Sequence, residues 1–294
     1  MDADAKTIFA WEPFTPRGVA AFAHAPLSRL LLVQFVVATL GAAALAWLLY
    51  DGCFPTVRAA IRNLPETGAI RSGRLVWPGD TPQLLAEGRL LAFDVDASHS
   101  DQIRSPADVQ IEFGRQSIRV FSGLGLGCVE WPYPAGWTAP FNRTDLEPWW
   151  GAWEPEWLAI TLLAAVAGLL LVWALLAAIY FLPARLIGFL VNRALDFRGS
   201  WKLSGAVLLP GALLLAAAIV LFDLAVLNLV QFCLLFVAHL ALGWVYLVAS
   251  QFFLPRIEPA APSDNPFSSG QATPTANRTS VKGNPFAPPP DSAG

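Results

Sequence analysis

The chain has 294 residues, of which 55% are hydrophobic and 14% charged, with 19 Lys and Arg against 22 Asp and Glu. A net charge of −3 excludes the strongly basic surface that nucleic-acid binding needs, so no nucleic-acid partner is expected. The charges are unevenly placed, and four long apolar runs hold almost none of them.

Residues 1–29 carry Lys6, Arg17 and Arg29, and read as a cytoplasmic N-terminal segment. Thr15 to His24 is expected to form a short helix on the inner leaflet, with Pro16 at the first helical position. The run from Leu30 to Tyr50 predicts a first transmembrane helix, 30–50, since a hydrocarbon core takes about twenty apolar residues at ~1.5 Å rise each. A cleaved signal peptide fits poorly, because its basic region and its apolar region would both be too long.

Residues 51–156 change in composition and are expected to form an extracytoplasmic domain with a modest core. Thr56 to Leu64 reads as an amphipathic helix with Val57, Ala60, Ile61 and Leu64 on one face, ended by Pro65. Arg74 to Trp77 and Leu90 to Asp96 read as strands. Val109 to Phe113 alternates with period two, turns at Gly114, and resumes at Ile118 and Val120. This predicts an antiparallel pair with Ile111, Phe113 and Val120 buried. Trp149, Trp150, Trp153 and Trp157 lead into the next apolar run and are expected to form an aromatic belt at the headgroup level, a better reading than a carbohydrate-stacking surface.

Trp157 to Leu182 predicts a second transmembrane helix, 157–182. In the loop 183–202, Pro183 to Phe197 is expected to form an amphipathic helix along the inner leaflet. The run from Leu203 to Leu254 is long enough for two helices, placed at 203–222 and 226–254, with Asp223 facing water at the hairpin between them. The tail, 255–294, holds nine Pro and is expected to be a disordered cytoplasmic arm.

Ten of the Lys and Arg residues lie in 1–29, 183–202 and 255–294, and none lies in the Asp223 hairpin. The positive-inside rule then puts both termini in the cytoplasm and 51–156 outside, where nine Arg and fourteen acids give a net charge of −5. The fold class expected is an α-helical integral membrane protein with four transmembrane helices and a small α+β extracytoplasmic domain.

Few residue groups offer chemistry. His24, His99 and His239 are kept apart by this topology, so they cannot share a metal or a triad. A Ser204–His239 dyad would span on the order of 20 Å along the helices, and a helix–helix hydrogen bond from His239 is the better reading. Asp94 to Asp101 begins like a calcium loop but has His99 where the glycine belongs and Ser105 where the glutamate belongs, so it reads as a strand end and polar turn. Gly123, Gly125 and Gly127 lack the following helix of a phosphate loop and read as a connector. Cys53 and Cys128 both fall outside, where a disulfide between them would close a loop of about 75 residues and add roughly 4 kcal/mol; two free thiols are the alternative. Two Asn-Pro-Phe tripeptides in the tail, Asn265-Pro266-Phe267 and Asn284-Pro285-Phe286, are candidate partner-binding anchors. Asn142 and Asn277 begin glycosylation sequons, the second on the cytoplasmic side.

Three stretches together suggest a family: Phe54 to Pro65, Ile70-Arg-Ser-Gly-Arg-Leu75 and Leu91-Ala-Phe-Asp-Val-Asp96. With one helix before them and a helical cluster after, they resemble an uncharacterised bacterial membrane family of maltodextrin-utilisation-operon type. Its cluster is similar to Yip-type membrane proteins, in which a proline near a helix start, here Pro210, recurs. The resemblance covers about 1–254 and implies a bacterial inner-membrane location with no catalytic residue, cofactor or metal. The function expected is a membrane-embedded scaffold or regulator, not an enzyme. Its partners would be the lipid bilayer and other membrane or cytoplasmic proteins. A component of a solute transport system is the alternative, and would rest on ionisable or polar groups such as Asp223, Asn228, Gln231, Gln34 and His239.

Overall fold

The computed structural model describes residues 12–98, 100, 102–125 and 127–257. Within them are four helical stretches long and apolar enough to cross a membrane, at Leu27–Arg62, Arg143–Leu190, Phe197–Asp223 and Leu229–Gln251. Both Asn-Pro-Phe tripeptides and His99 lie outside the described residues.

A short helix, α1 (Pro16–Ala21), comes first, with the Thr15 hydroxyl accepting from the Gly18 amide at 3.0 Å. Next is α2 (Leu27–Trp47), which runs through a π-helical stretch at Leu48–Cys53 into α3 (Phe54–Arg62). After the sheet domain, α4 (Arg143–Leu190) carries Pro148, Pro155 and Pro183 in its interior. It is followed by α5 (Phe197–Ala206), α6 (Leu209–Asp223) and α7 (Leu229–Gln251). The polar starts are capped as sequence chemistry requires. Asn142, Asp196 and Asn228 each accept from an amide three residues on, and Gln231 answers Asn228 to complete a capping box.

Three helical expectations need correction. Pro183 to Leu190 is not a separate surface helix but the last two turns of α4, and 191–196 is a turn in which Asn192 takes φ +53. A proline inside a helix removes one backbone bond and leaves the rest of the ladder in place, and here the helix continues through it. The third span is broken at Val207 and Leu208, because Pro210 has no amide hydrogen for the Ala206 carbonyl and its ring crowds that turn. Lastly, α1 does not simply lie on a surface: Val19 and Phe22 are completely buried in the bundle core beside Leu30, Leu203 and Leu209.

One end of the bundle is basic and pinned by polar contacts. Lys202 Nζ donates to the Ala25 carbonyl at 2.7 Å, Arg193 to the Leu254 carbonyl at 2.6 Å, Gln251 to the Ala184 carbonyl at 3.1 Å, and Tyr246 to the Phe14 carbonyl at 2.5 Å. Close backbone approach fixes α6 against α7, where a Cβ on Gly211 would lie 2.5 Å from the His239 carbonyl oxygen.

The opposite end carries two sheets. β1 (Ala69–Arg71) lies between β2 (Arg74–Val76) and β8 (Ala139–Pro140). Ser72 and Gly73, at φ +50 and +72, form the two-residue turn that a tight β1–β2 hairpin demands. The larger sheet has β3 (Gln83–Glu87), β4 (Leu91–Val95), β5 (Val109–Phe113), β6 (Ser117–Ser122) and β7 (Cys128–Pro132) in that order, with β4 and β5 parallel. The β5–β6 pairing is antiparallel as expected, with Ile111 opposite Val120 and Phe113 opposite Ile118. The buried face differs from expectation. Ile111, Phe113 and Val120 are half-buried, whereas Gln110 and Glu112 are 3% and 1% exposed. The crossover between the parallel strands, 96–108, covers the polar face, and that is why it is the more enclosed.

A test of the span count uses Glu66→Cys and Arg198→Cys, both at exposed positions, in a background without Cys53, Cys128 and Cys233. An impermeant thiol reagent added outside intact cells should label the Glu66 position alone. Labelling of both positions would contradict the single crossing, by α4, between them.

Candidate functional site

The sheet domain encloses a polar layer built on alternation. Asp94 on β4 and Gln110 and Glu112 on β5 point to the same side, and all are buried. Gln110 staples the crossover to the sheet: its amide donates to Asp94 Oδ1 at 2.8 Å and to the Ile103 carbonyl at 3.1 Å, and its oxygen accepts from the Ser105 amide at 3.1 Å. Arg119 on β6 donates from Nε to Glu112 at 2.8 Å and also from Nη2. Arg104 and Arg119 lie over the Phe121 ring at 4.3 and 5.4 Å. These side chains, with Gly123, Gly125, Gly127 and Cys128, border a shallow cavity of about 470 Å³.

The electrostatics of the two aspartates diverge. Burial pushes the Asp94 carboxyl up to about 6, with Glu112 and Asp96 adding repulsion against the Gln110 bond and Arg104. Burial acts on Asp96 too, but hydrogen bonds from the hydroxyls and amides of Ser98 and Ser100 outweigh it and hold the carboxyl down at about 2. Both Asp96 oxygens accept hydrogen bonds from the turn that follows β4. No group of three or more potential metal-ligating side chains occurs among the described residues.

The second feature is the outer edge of the larger sheet. Every residue of β7 is exposed, including Val129 at 53% and Trp131 at 56%. Their ladder partners are Val120 and Ile118, so an apolar stripe runs from the sheet to its unpaired edge. Next to it is an apolar groove of about 400 Å³ whose walls include Phe113, Ile118, Trp137, Phe141 and Trp149.

The third feature is the junction between sheet domain and bundle. Arg89, in the β3–β4 turn, donates to the Asp223 carbonyl at the end of α6 at 3.0 Å and lies 4.8 Å over the Phe222 ring. A cation there suits the negative end of the helix. Asp223 is not at the water surface, as expected, but buried, because Leu90 and Gly52 close over it; a Cβ on Gly52 would lie 2.9 Å from its Oδ1. Both Asp223 carboxylate oxygens are buried, with the Trp47 side chain as the neighbouring donor. On the other side, α3 is held to α4 by the edge-on Phe54–Trp150 contact at 5.2 Å and the Arg58–Glu154 pair at 3.6 Å.

The remaining candidates resolve as follows. Cys53 and Cys128 are free in this structure, and so is Cys233. Cys53 closes the π-helical stretch beside Asp223, while Cys128 opens the edge strand β7, so the disulfide expected between them is not formed. His239 donates from Nδ1 to the Phe236 carbonyl of its own helix, which replaces the expected helix–helix bond; Ser204 donates to the Ser200 carbonyl at 2.8 Å. Asn142 caps α4 and donates to the Gly68 carbonyl at 3.2 Å. This buried role uses the side chain that glycosylation would need exposed.

Comparison with known proteins finds no matching family model, no matching curated protein and no matching solved structure. Sequence reasoning missed the polar layer and the Arg89 clamp. The spacing of Asp94, Asp96, Gln110 and Glu112 at every second position was a visible signal for the first, since it puts like residues on one face of a strand. The clamp had none, because it joins turns 134 residues apart.

Two stability predictions follow from the polar layer. Removing Arg119 leaves Glu112 buried without its charge partner, so Arg119→Met should destabilise the protein by about 3–5 kcal/mol, and pairing it with Glu112→Leu should recover most of the loss in thermal unfolding. The Asp94 carboxyl has a folded value above its unfolded one, so the folded state holds the proton more tightly and this group lowers stability as pH rises from about 4 to about 6. Melting temperature measured from pH 4 to pH 7 should show that decline, and Asp94→Asn should flatten it.

Proposed function

We propose that the protein is a membrane-embedded scaffold or regulator, with four helices crossing a bacterial inner membrane and the sheet domain exported. The sheet domain receives an extended segment of a partner protein along the open edge of β7. The observation that carries this reading is the five-residue edge strand, exposed on both faces and bearing Val129 and Trp131. An unpaired strand edge offers backbone donors and acceptors to an added strand, and alternate side chains set its specificity. The exported segment has a net charge of −5, and Glu130 lies on the polar side of β7, so the fitting partner segment alternates apolar and basic residues. The positive ends of the four apolar runs support cytoplasmic termini. The resemblance to the uncharacterised bacterial family, carried by Phe54 to Pro65, Ile70 to Leu75 and Leu91 to Asp96, supports the location and a non-catalytic role. On the other face, Asn265-Pro266-Phe267 and Asn284-Pro285-Phe286 are the proposed anchors for a cytoplasmic partner.

A transport component is the second reading, favoured by one observation: the buried Asp223 carboxylate at the end of α6.

A photo-reactive amino acid at Val129 should crosslink to another exported protein in intact cells, and the same probe at Glu66 should not. Trp131→Lys should remove that crosslink without lowering the melting temperature, as its side chain is exposed. Phe267→Ala with Phe286→Ala should deplete cytoplasmic partners only. Solute flux into liposomes that Asp223→Asn abolishes, with no Val129 crosslink, would replace the scaffold by a transporter.

A further inference from the structure

Between α2, α4, α6 and α7 the bundle holds a cavity of about 570 Å³. Small side chains make the room: Gly168 on α4 and Ala212 and Ala216 on α6 line it where larger residues would meet. The cavity is closed toward the basic end, where the Tyr180 and Trp244 rings lie 4.9 Å apart and Gln251 is bonded to the Ala184 carbonyl. From there it runs toward the sheet domain, past Leu45 near the end of α2 and Ile219 near the end of α6. Whereas α6 packs along both α2 and α7, α4 and α7 meet through these contacts near the basic end. The two helices then diverge around Val172 and Leu240, both of which line the cavity and are about half exposed.

Its chemistry selects the occupant. The ionisable side chains of the wall are Tyr180 and His239, and both are engaged: Tyr180 with Trp244, and His239 Nδ1 with the Phe236 carbonyl. A buried water needs two to four polar partners, which this wall does not supply. A void of this size left empty would forfeit the dispersion contacts of all its lining atoms. Hydrocarbon satisfies the wall on every side, and in a bilayer hydrocarbon is the solvent.

We propose that this cavity is a binding site for a single acyl chain of a membrane lipid, which enters between α4 and α7 from the leaflet next to the sheet domain. The proposal rests on the reading that the four helices cross a bilayer. The bound chain replaces the helix–helix packing that α4 and α7 lack there. It makes the relative position of α4, which leads directly to the sheet domain, depend on lipid.

The test uses the full chain in nanodiscs made of phosphatidylglycerol and phosphatidylcholine, with a trace of phosphatidylcholine carrying a diazirine in its acyl chain. After illumination, labelled peptides are mapped. Labelling is expected at Ala216, which is only 9% exposed, as well as at Leu163 on the outward face of α4. Gly168→Leu and, separately, Ala216→Trp should abolish labelling at the cavity-lining positions 212 and 216 and leave Leu163 labelling unchanged. Label at Leu163 without label at positions 212 and 216 in the unaltered protein would overturn the acyl-chain site alone, and no label at Leu163 would overturn the membrane reading beneath it. An Ala216→Cys variant in a cysteine-free background is the complementary check. Slow reaction with a water-borne thiol reagent is expected. Reaction as fast as that of Glu66→Cys would mean a water-filled cavity and would sink the proposal.

Discussion

The apolar side chains of α4 and α7 have nowhere in the protein to go. Only 11% of the apolar window of each helix is buried inside the structure, against 39% and 44% for the stretches containing α2 and α6. Leu163, Leu171, Leu182, Leu234 and Val237 are each more than 60% exposed. In water such faces would aggregate; in hydrocarbon they are solvated, and the helix is the form that satisfies its own backbone there. The rest of the architecture depends on that constraint. α2 and α6 form the inner pair, α4 and α7 flank them, and polar residues collect at the two ends.

The basic end is tied by side chains donating to carbonyls that helix ends leave open: Lys202 to Ala25, Arg193 to Leu254, Gln251 to Ala184. The other end uses the same device once, with Arg89 on the Asp223 carbonyl, and adds the α3–α4 contacts. The sheet domain is thus docked on the bundle at two places. The π-helical stretch Leu48–Cys53 sits between them, and Gly52 there leaves the space that Leu90 and the Asp223 carboxylate fill. Movement of α4 or of the α6–α7 hairpin would therefore reach the strands that present β7. That coupling is what the proposed regulatory role would use.

Legibility differed by the range of the interaction that decides each feature. The four apolar stretches, the α3 helix ended by Pro65 and the β5–β6 hairpin around Gly114 rest on local pattern, and the structure has the expected element at each, although α4 extends well beyond 157–182 at both ends. Pro183 was expected to begin a separate helix but lies inside α4, which tolerates the loss of one backbone bond. The burial of Glu112 and Gln110 was hidden because it depends on where the 96–108 crossover lies, which no alternation within β5 encodes. Asp223 was placed in water for the same kind of reason: its cover, Leu90 and Gly52, comes from two other parts of the chain. The exposed β7 edge was not anticipated either, since Cys128 to Pro132 is made a strand by its pairing with β6, which lies outside its own sequence pattern.

The claim on which everything else stands is that all four helical stretches lie in hydrocarbon, and amide hydrogen exchange of the protein in nanodiscs tests it most directly. The account predicts strong protection across 30–47, 157–182, 209–223 and 229–251, with fast exchange in the turns at 191–196 and 224–228. Exchange in 229–251 as fast as in those turns would put α7 outside the bilayer and contradict the four-span architecture.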